Sequence, residues 1–133
     1  MVTVVGMWEP GFSDEQMFIE WRMWKQTILA FEVDRWLMVG SQGPGGRYEA
    51  FDTVQDALDA SRGDRVFMIP EAGKPLDQLD HPANVVYIFG NVNESLLSYV
   101  RPEDQIASIF TPCPADMFAA ACLACVLSYR GGR

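Results

Sequence analysis

Residues 85–97 read VVYIFGNVNESLL. Val85 to Phe89 are all β-branched or aromatic, with no polar residue between them. A short apolar run without alternation is the pattern of a strand covered on both faces, as in a parallel sheet packed between helices. The run stops at Gly90-Asn91, and polar residues follow at once. A buried strand ending in Gly-Asn is a common place to put a ligand.

The rest of the chain supplies matching pieces. Val2 to Met7 is a β-branched run and reads as a buried strand, followed by a loop containing Pro10 and Gly11. Ser13, with Gln16 three residues on, has the form of a helix start. Met17, Trp21, Trp24, Ile28 and Phe31 then recur at helical spacing. Further strands are expected at Val33–Val39, Val66–Ile69 and Ile106–Phe110, and a glycine-rich loop at Gly40–Gly46. A short helix is expected over Thr53–Ser61, and an almost wholly apolar one over Ala115–Tyr129. Strands separated by helices imply a mainly parallel α/β sheet with helices on its faces. The 133 residues fit one domain, 1–133.

Composition bounds the function. The longest apolar stretch, Met117–Leu127, is far short of the ~20 residues of a bilayer-spanning helix. The N-terminal residues lack the pattern of a signal peptide. Three cysteines, two of them in a helical stretch, suit a reduced, cytoplasmic protein. A net charge of −8 opposes nucleic-acid binding, because that affinity comes largely from Lys and Arg displacing counterions. DNA is not an expected partner, and any RNA affinity has to overcome the same charge.

In open α/β sheets, ligands sit beyond the carboxyl ends of the strands. Three such ends are rich in Gly and Pro: Ile69-Pro70-Glu71-Ala72-Gly73, Phe89-Gly90-Asn91 and Ile109-Phe110-Thr111-Pro112. Gly and Pro leave backbone groups free for a ligand. Other constellations are weaker. Cys122 and Cys125 have no second ligand pair and His81 is the single histidine, which argues against zinc. Gly43-Pro44-Gly45-Gly46 lacks the Lys-Ser/Thr of a phosphate-binding loop.

The order AFEVDRWLMVGS (30–41), FDTVQDAL (51–58), GKPLDQLDHPANVVYIFGN (73–91), IASIF (106–110) and a helix ending VLSYR (126–130) resembles the SPOUT superfamily, in its branch of RNA ribose 2′-O-methyltransferases. GKPLDQLDHPANVVYIFGN is the most specific piece. The resemblance implies a C-terminal trefoil knot and a homodimer joined through the first and last helices. It implies S-adenosylmethionine in the knot, held by Ile69, Pro70, Glu71, Phe89, Gly90, Asn91, Ile109, Thr111 and Phe118. The implied activity is methyl transfer to a ribose 2′-hydroxyl of tRNA or rRNA, with Arg22 and Glu94 as candidate catalytic residues.

The sequence departs from the family pattern at three places. Where the first motif has Asn, Gly and Arg, this chain has Glu20, Arg22 and Gln26; Arg22, or Lys25, then becomes the cation within reach. Glu94 is displaced by two residues from the family's Glu. Met117, Phe118 and Ala119 replace the polar head of the last helix. These departures leave open a divergent SPOUT-fold protein that binds S-adenosylmethionine or a partner without methylating RNA, and a plain interaction module. RNA affinity supplied by a basic partner subunit is a further expectation.

Overall fold

In the computed structural model, residues 1–40, 46–70, 72–91, 95–112 and 117–131 are described. The strands are β1 (Val2–Met7), β2 (Arg35–Val39), β3 (Glu49–Phe51), β4 (Asp64–Met68), β5 (Val85–Phe89) and β6 (Gln105–Ala107). They form one sheet in the order β3-β2-β1-β5-β4-β6, and every neighbouring pair is parallel. The sequence therefore reads correctly as a parallel α/β sheet, and every residue of β5 is buried.

Side chains alternate across the pleat and divide the core in two. Val4, Trp36, Met38, Val66, Val85, Tyr87 and Phe89 face α1 (Asp14–Ala30) and α3 (Ala119–Gly131). Val5, Leu37, Phe67, Val86 and Ile88 face α2 (Val54–Ala60). Helices thus cover both faces of the sheet.

The start of α1 follows from its sequence. Ser13 Oγ accepts the Gln16 backbone N–H at 3.2 Å, and Gln16 Oε1 accepts the Ser13 N–H at 3.0 Å. This reciprocal cap satisfies two donors that a helix start leaves open. Met17, Trp24 and Ile28 enter the core. Gly6 makes room for Trp24, since a Cβ at position 6 would lie 2.5 Å from the indole and 2.8 Å from Met38 Sδ.

Several boundaries differ from the sequence reading. β3 was not expected; it is a three-residue edge strand with exposed positions, too short to show a period. β2 begins at Arg35 because Asp34 turns back, its carboxylate accepting the Val2 N–H at 2.7 Å. The helix expected from Ala115 begins at Ala119, after Met117 and Phe118; residues 115 and 116 lie outside the described residues.

β6 is shorter than the expected strand and lies between two pieces of chain. On one side it pairs with β4. On the other, Ala107 bridges Lys74: the Lys74 N–H donates to the Ile106 carbonyl at 3.0 Å and the Ser108 N–H to the Lys74 carbonyl at 2.9 Å. The chain leaving β4 thus runs along the far side of β6 before returning to β5, which lies on the opposite side of β4. Gly73 permits this passage, because a Cβ there would fall on the Ile106 backbone. The returning segment is tied to α3 by Arg130, which donates to the Pro82 carbonyl at 2.8 Å and to the Tyr87 hydroxyl at 3.3 Å. His81 Nδ1 lies 2.8 Å from the same hydroxyl.

Candidate functional site

The carboxyl ends of β1, β4, β5 and β6 converge on a cavity of about 400 Å³. Ile69 and Pro70 line it after β4, Phe89, Gly90 and Asn91 after β5, and Ser108, Ile109 and Thr111 after β6. Met117, Ala119 and Cys122 close it from α3 and the residues before it. The wall is mainly apolar with a few polar groups, and the volume falls in the ~300–1,000 Å³ range of small-ligand sites.

Hydrogen bonds hold the loops in register. Ser108 Oγ, fully buried, donates to the Ile69 carbonyl at 2.6 Å and accepts the Gly73 N–H at 2.8 Å. The Ile69 N–H donates to the Ala107 carbonyl at 3.0 Å. Asn91 Nδ2 donates to the Trp8 carbonyl at 3.2 Å, joining the ends of β5 and β1. Two loops far apart in sequence are thereby positioned by strands buried on both faces.

Most of the residues expected to hold a cofactor meet at this cavity: Ile69, Pro70, Phe89, Gly90, Asn91, Ile109 and Thr111. Glu71 and Glu94 lie outside the described residues. Phe118 is not in the wall; it is exposed, with its ring edge-on to Phe12 at 6.3 Å, while its neighbours Met117 and Ala119 line the cavity. Arg22 is exposed and outside the wall, on the helix face away from buried Glu20 and Trp24. Lys25 lies 4.7 Å from the Trp21 ring centroid.

Two groups in the wall escaped the sequence reading. Glu9 is 4% exposed at the end of β1. Its position between Trp8 and Pro10 suggested a loop, and nothing local signals burial. Cys122, set aside above as a zinc ligand, lines the cavity. Burial, followed by the nearby Cys125, pushes its thiol up to about 11, so it is neutral at ordinary pH. Behind the wall, burial raises the Glu20 carboxyl above its usual range; the Trp24 N–H, at 3.2 Å, opposes this and the Glu9 charge adds to it.

No family model matches the chain, and no curated protein matches it. Solved structures do. A structure concerned with the 2-OH methylation of C/U34 on tRNA superposes with a TM-score of 0.69 at 14% identity, over 99% of this chain and 98% of the other. A protein from Bacillus anthracis assigned as an RNA methyltransferase gives 0.73 at 11% identity, over 97% and 91%. The fold is shared with these two solved structures. An AdoMet-bound rRNA methyltransferase from Sinorhizobium meliloti shares the fold with a TM-score of 0.66 at 14% identity; the match covers 96% of this chain and 54% of that one. Among the described residues, no helix is long and apolar enough to cross a membrane.

Proposed function

We propose that the chain is an S-adenosylmethionine-dependent RNA methyltransferase acting on a ribose 2′-hydroxyl of tRNA or rRNA. The observation that carries this reading is the cavity at the ends of β4, β5 and β6, on a fold shared with RNA methyltransferases. One of those neighbours is AdoMet-bound and another concerns 2-OH methylation of tRNA.

The wall suits the cofactor. Phe89, Ile109 and Met117 offer apolar contact for an adenosine, and the Gly90-Asn91 turn offers backbone groups beside it. When bound, S-adenosylmethionine supplies an activated methyl group, whose transfer leaves a neutral sulfide. The protein's task is to orient the acceptor hydroxyl and exclude water. The buried Ser108 links fix two of the three loops before any ligand arrives. The hydroxyl proton passes to a base or to solvent as the new carbon–oxygen bond forms. Arg22 and Glu94 remain the candidates on the acceptor side.

The crossing of residues 72–74 over β6 supports a C-terminal trefoil knot within one domain spanning 1–133. A homodimer is part of the same proposal. Met17, Trp24 and Ile28 are buried in the chain's own core, so that face of α1 is not available to a partner. The outer face of α1 retains Phe18, Ile19 and Met23, and Phe118 is exposed before α3. A second copy covering these residues accounts for them. Sedimentation at micromolar concentration should give twice the chain mass, and a monomer contradicts the dimer. A cytoplasmic location and a basic partner subunit complete the proposal.

Transfer of labelled methyl from S-adenosylmethionine to total RNA tests the activity; label in alkali-resistant dinucleotides marks 2′-O transfer. The net charge of −8 and the exposed Arg22 favour a second reading, a protein that binds the cofactor or a partner without methylating RNA. Cofactor binding with no label in any RNA, with or without cell extract, selects that reading.

A further inference from the structure

Trp21 brings together two cations that are distant in sequence. An added Cβ on Gly46 would lie 3.2 Å from its indole Nε1, and Lys25 Nζ stands 4.7 Å from its ring centroid. Arg47 follows Gly46 directly. Lys25 and Arg47 thereby share the wall of a recess of about 180 Å³, with Ile28, Val33 and Trp36 as part of its apolar lining. No residue of this recess lines the larger cavity at the strand ends. Neither cation makes an ion pair among the described residues, whereas Arg35 is paired with Glu49 and Arg101 with Glu103 and Asp104. Nor do they cap α1: the Thr27, Ile28 and Leu29 carbonyls at its end accept the backbone N–H groups of Phe31, Val33 and Glu32. Asp34, the one acid in the described wall, accepts the Val2 N–H at 2.7 Å. Two positive charges against one negative leave the recess with one net positive charge, in a chain whose net charge is −8.

We propose that Lys25 and Arg47 form a phosphate-binding recess that holds one backbone phosphate of the acceptor RNA, outside the cavity assigned to the cofactor. This deepens the RNA reading given above and rests on it. A phosphodiester carries a single negative charge, and its oxygens accept charge-assisted hydrogen bonds from an ammonium and a guanidinium together. Such a contact carries no base information; it fixes the register of the strand on the protein. On an acidic surface, a local patch of positive potential decides where a strand can lie. Arg22 precedes Lys25 by three residues on α1 and is exposed, so the two are neighbours on the helix surface. The strand then runs from the recess toward Arg22, the acceptor-side candidate.

Binding of unfractionated tRNA to the full chain, followed over a range of salt concentrations, tests this. Losing one phosphate contact lowers the slope of log affinity against log salt by about one. Lys25→Ala and Arg47→Ala should each do so and weaken binding roughly fivefold. Because both cations serve one phosphate, the double variant should also lower the slope by about one rather than two. Arg47→Lys, which keeps the charge, should restore most of the slope. Arg62→Ala removes an exposed cation outside the recess and should leave the slope unchanged. Heat with S-adenosylmethionine should be the same in every variant, since recess and cavity share no residue. Unchanged slopes in Lys25→Ala and Arg47→Ala overturn the proposal and leave the RNA reading standing. Heat with inorganic phosphate or AMP that is lost in Arg47→Ala, with tRNA slopes unchanged, assigns the recess to a free ligand and also overturns it. No tRNA bound by wild-type protein at low salt overturns the RNA reading and this proposal together. Circular dichroism checks each variant's fold. Should Lys25→Ala fail to fold, Arg47→Ala at its exposed position still decides.

Discussion

Ser108 Oγ donates to the Ile69 carbonyl oxygen at 2.6 Å, across 39 positions of sequence. Ser108 Oγ in turn accepts the Gly73 N–H, so one buried hydroxyl holds the start and the end of the 69–73 loop against β6. Ser108→Ala leaves a backbone acceptor and a backbone donor without this partner. Unfolding in urea should show a loss of about 1–3 kcal/mol. Cofactor affinity should fall along with it, because Ile69 and Pro70 form one wall of the cavity. Unchanged stability would mean that water replaces the hydroxyl without penalty.

Gly73 tests the passage of chain beside β6. A Cβ there meets the Ile106 carbonyl carbon and oxygen, which belong to backbone and cannot rotate aside. Gly73→Ala should destabilise by about 1–3 kcal/mol through overpacking. Gly131→Ala, with open space around the added carbon, is the matched control and should be close to neutral. Equal stability of the two variants in chemical denaturation would contradict the close crossing.

Glu20 gives the account a pH dependence. Burial raises its folded-state pKa above the ordinary value of 4.5, the Trp24 N–H opposes the shift, and the Glu9 charge adds to it. A raised folded pKa means that the folded state holds its proton more tightly than the unfolded state does. The resulting stabilisation is fully present below the unfolded pKa and is lost as pH rises through the folded one. Glu20→Gln keeps an acceptor for Trp24 and removes this titration. Relative to wild type, the variant should gain stability as pH rises from about 4 to 7. Thermal melts at several pH values measure the difference, and a gap independent of pH rules out the buried charge as its cause.

Much of this arrangement was legible before the structure. β1 and β5 are continuous apolar runs because helices cover both their faces, and Ser13-x-x-Gln16 marks the start of α1 by its own chemistry. The edge of the sheet that carries the cavity was legible through the Gly and Pro residues ending β4 and β5. β3 escaped because three exposed edge residues carry no period. Phe118 was assigned to the wall by its place in the chain, which does not fix its face; the structure turns it toward Phe12. Glu9 escaped because its burial is set by strand pairing between β1 and β5 rather than by its neighbours in sequence. Met17, Trp24 and Ile28 gave the helix correctly by their spacing, and the chain's own sheet covers their face.

The central claim is that the cavity among Ile69, Phe89, Gly90, Asn91 and Ile109 holds S-adenosylmethionine. Titration calorimetry of the wild-type protein with S-adenosylmethionine tests it most directly, paired with Gly90→Val, which places a side chain in the cavity wall. The account expects saturable heat with one ligand per chain, lost in Gly90→Val while far-ultraviolet circular dichroism stays unchanged. No heat from wild-type protein at millimolar ligand would contradict it.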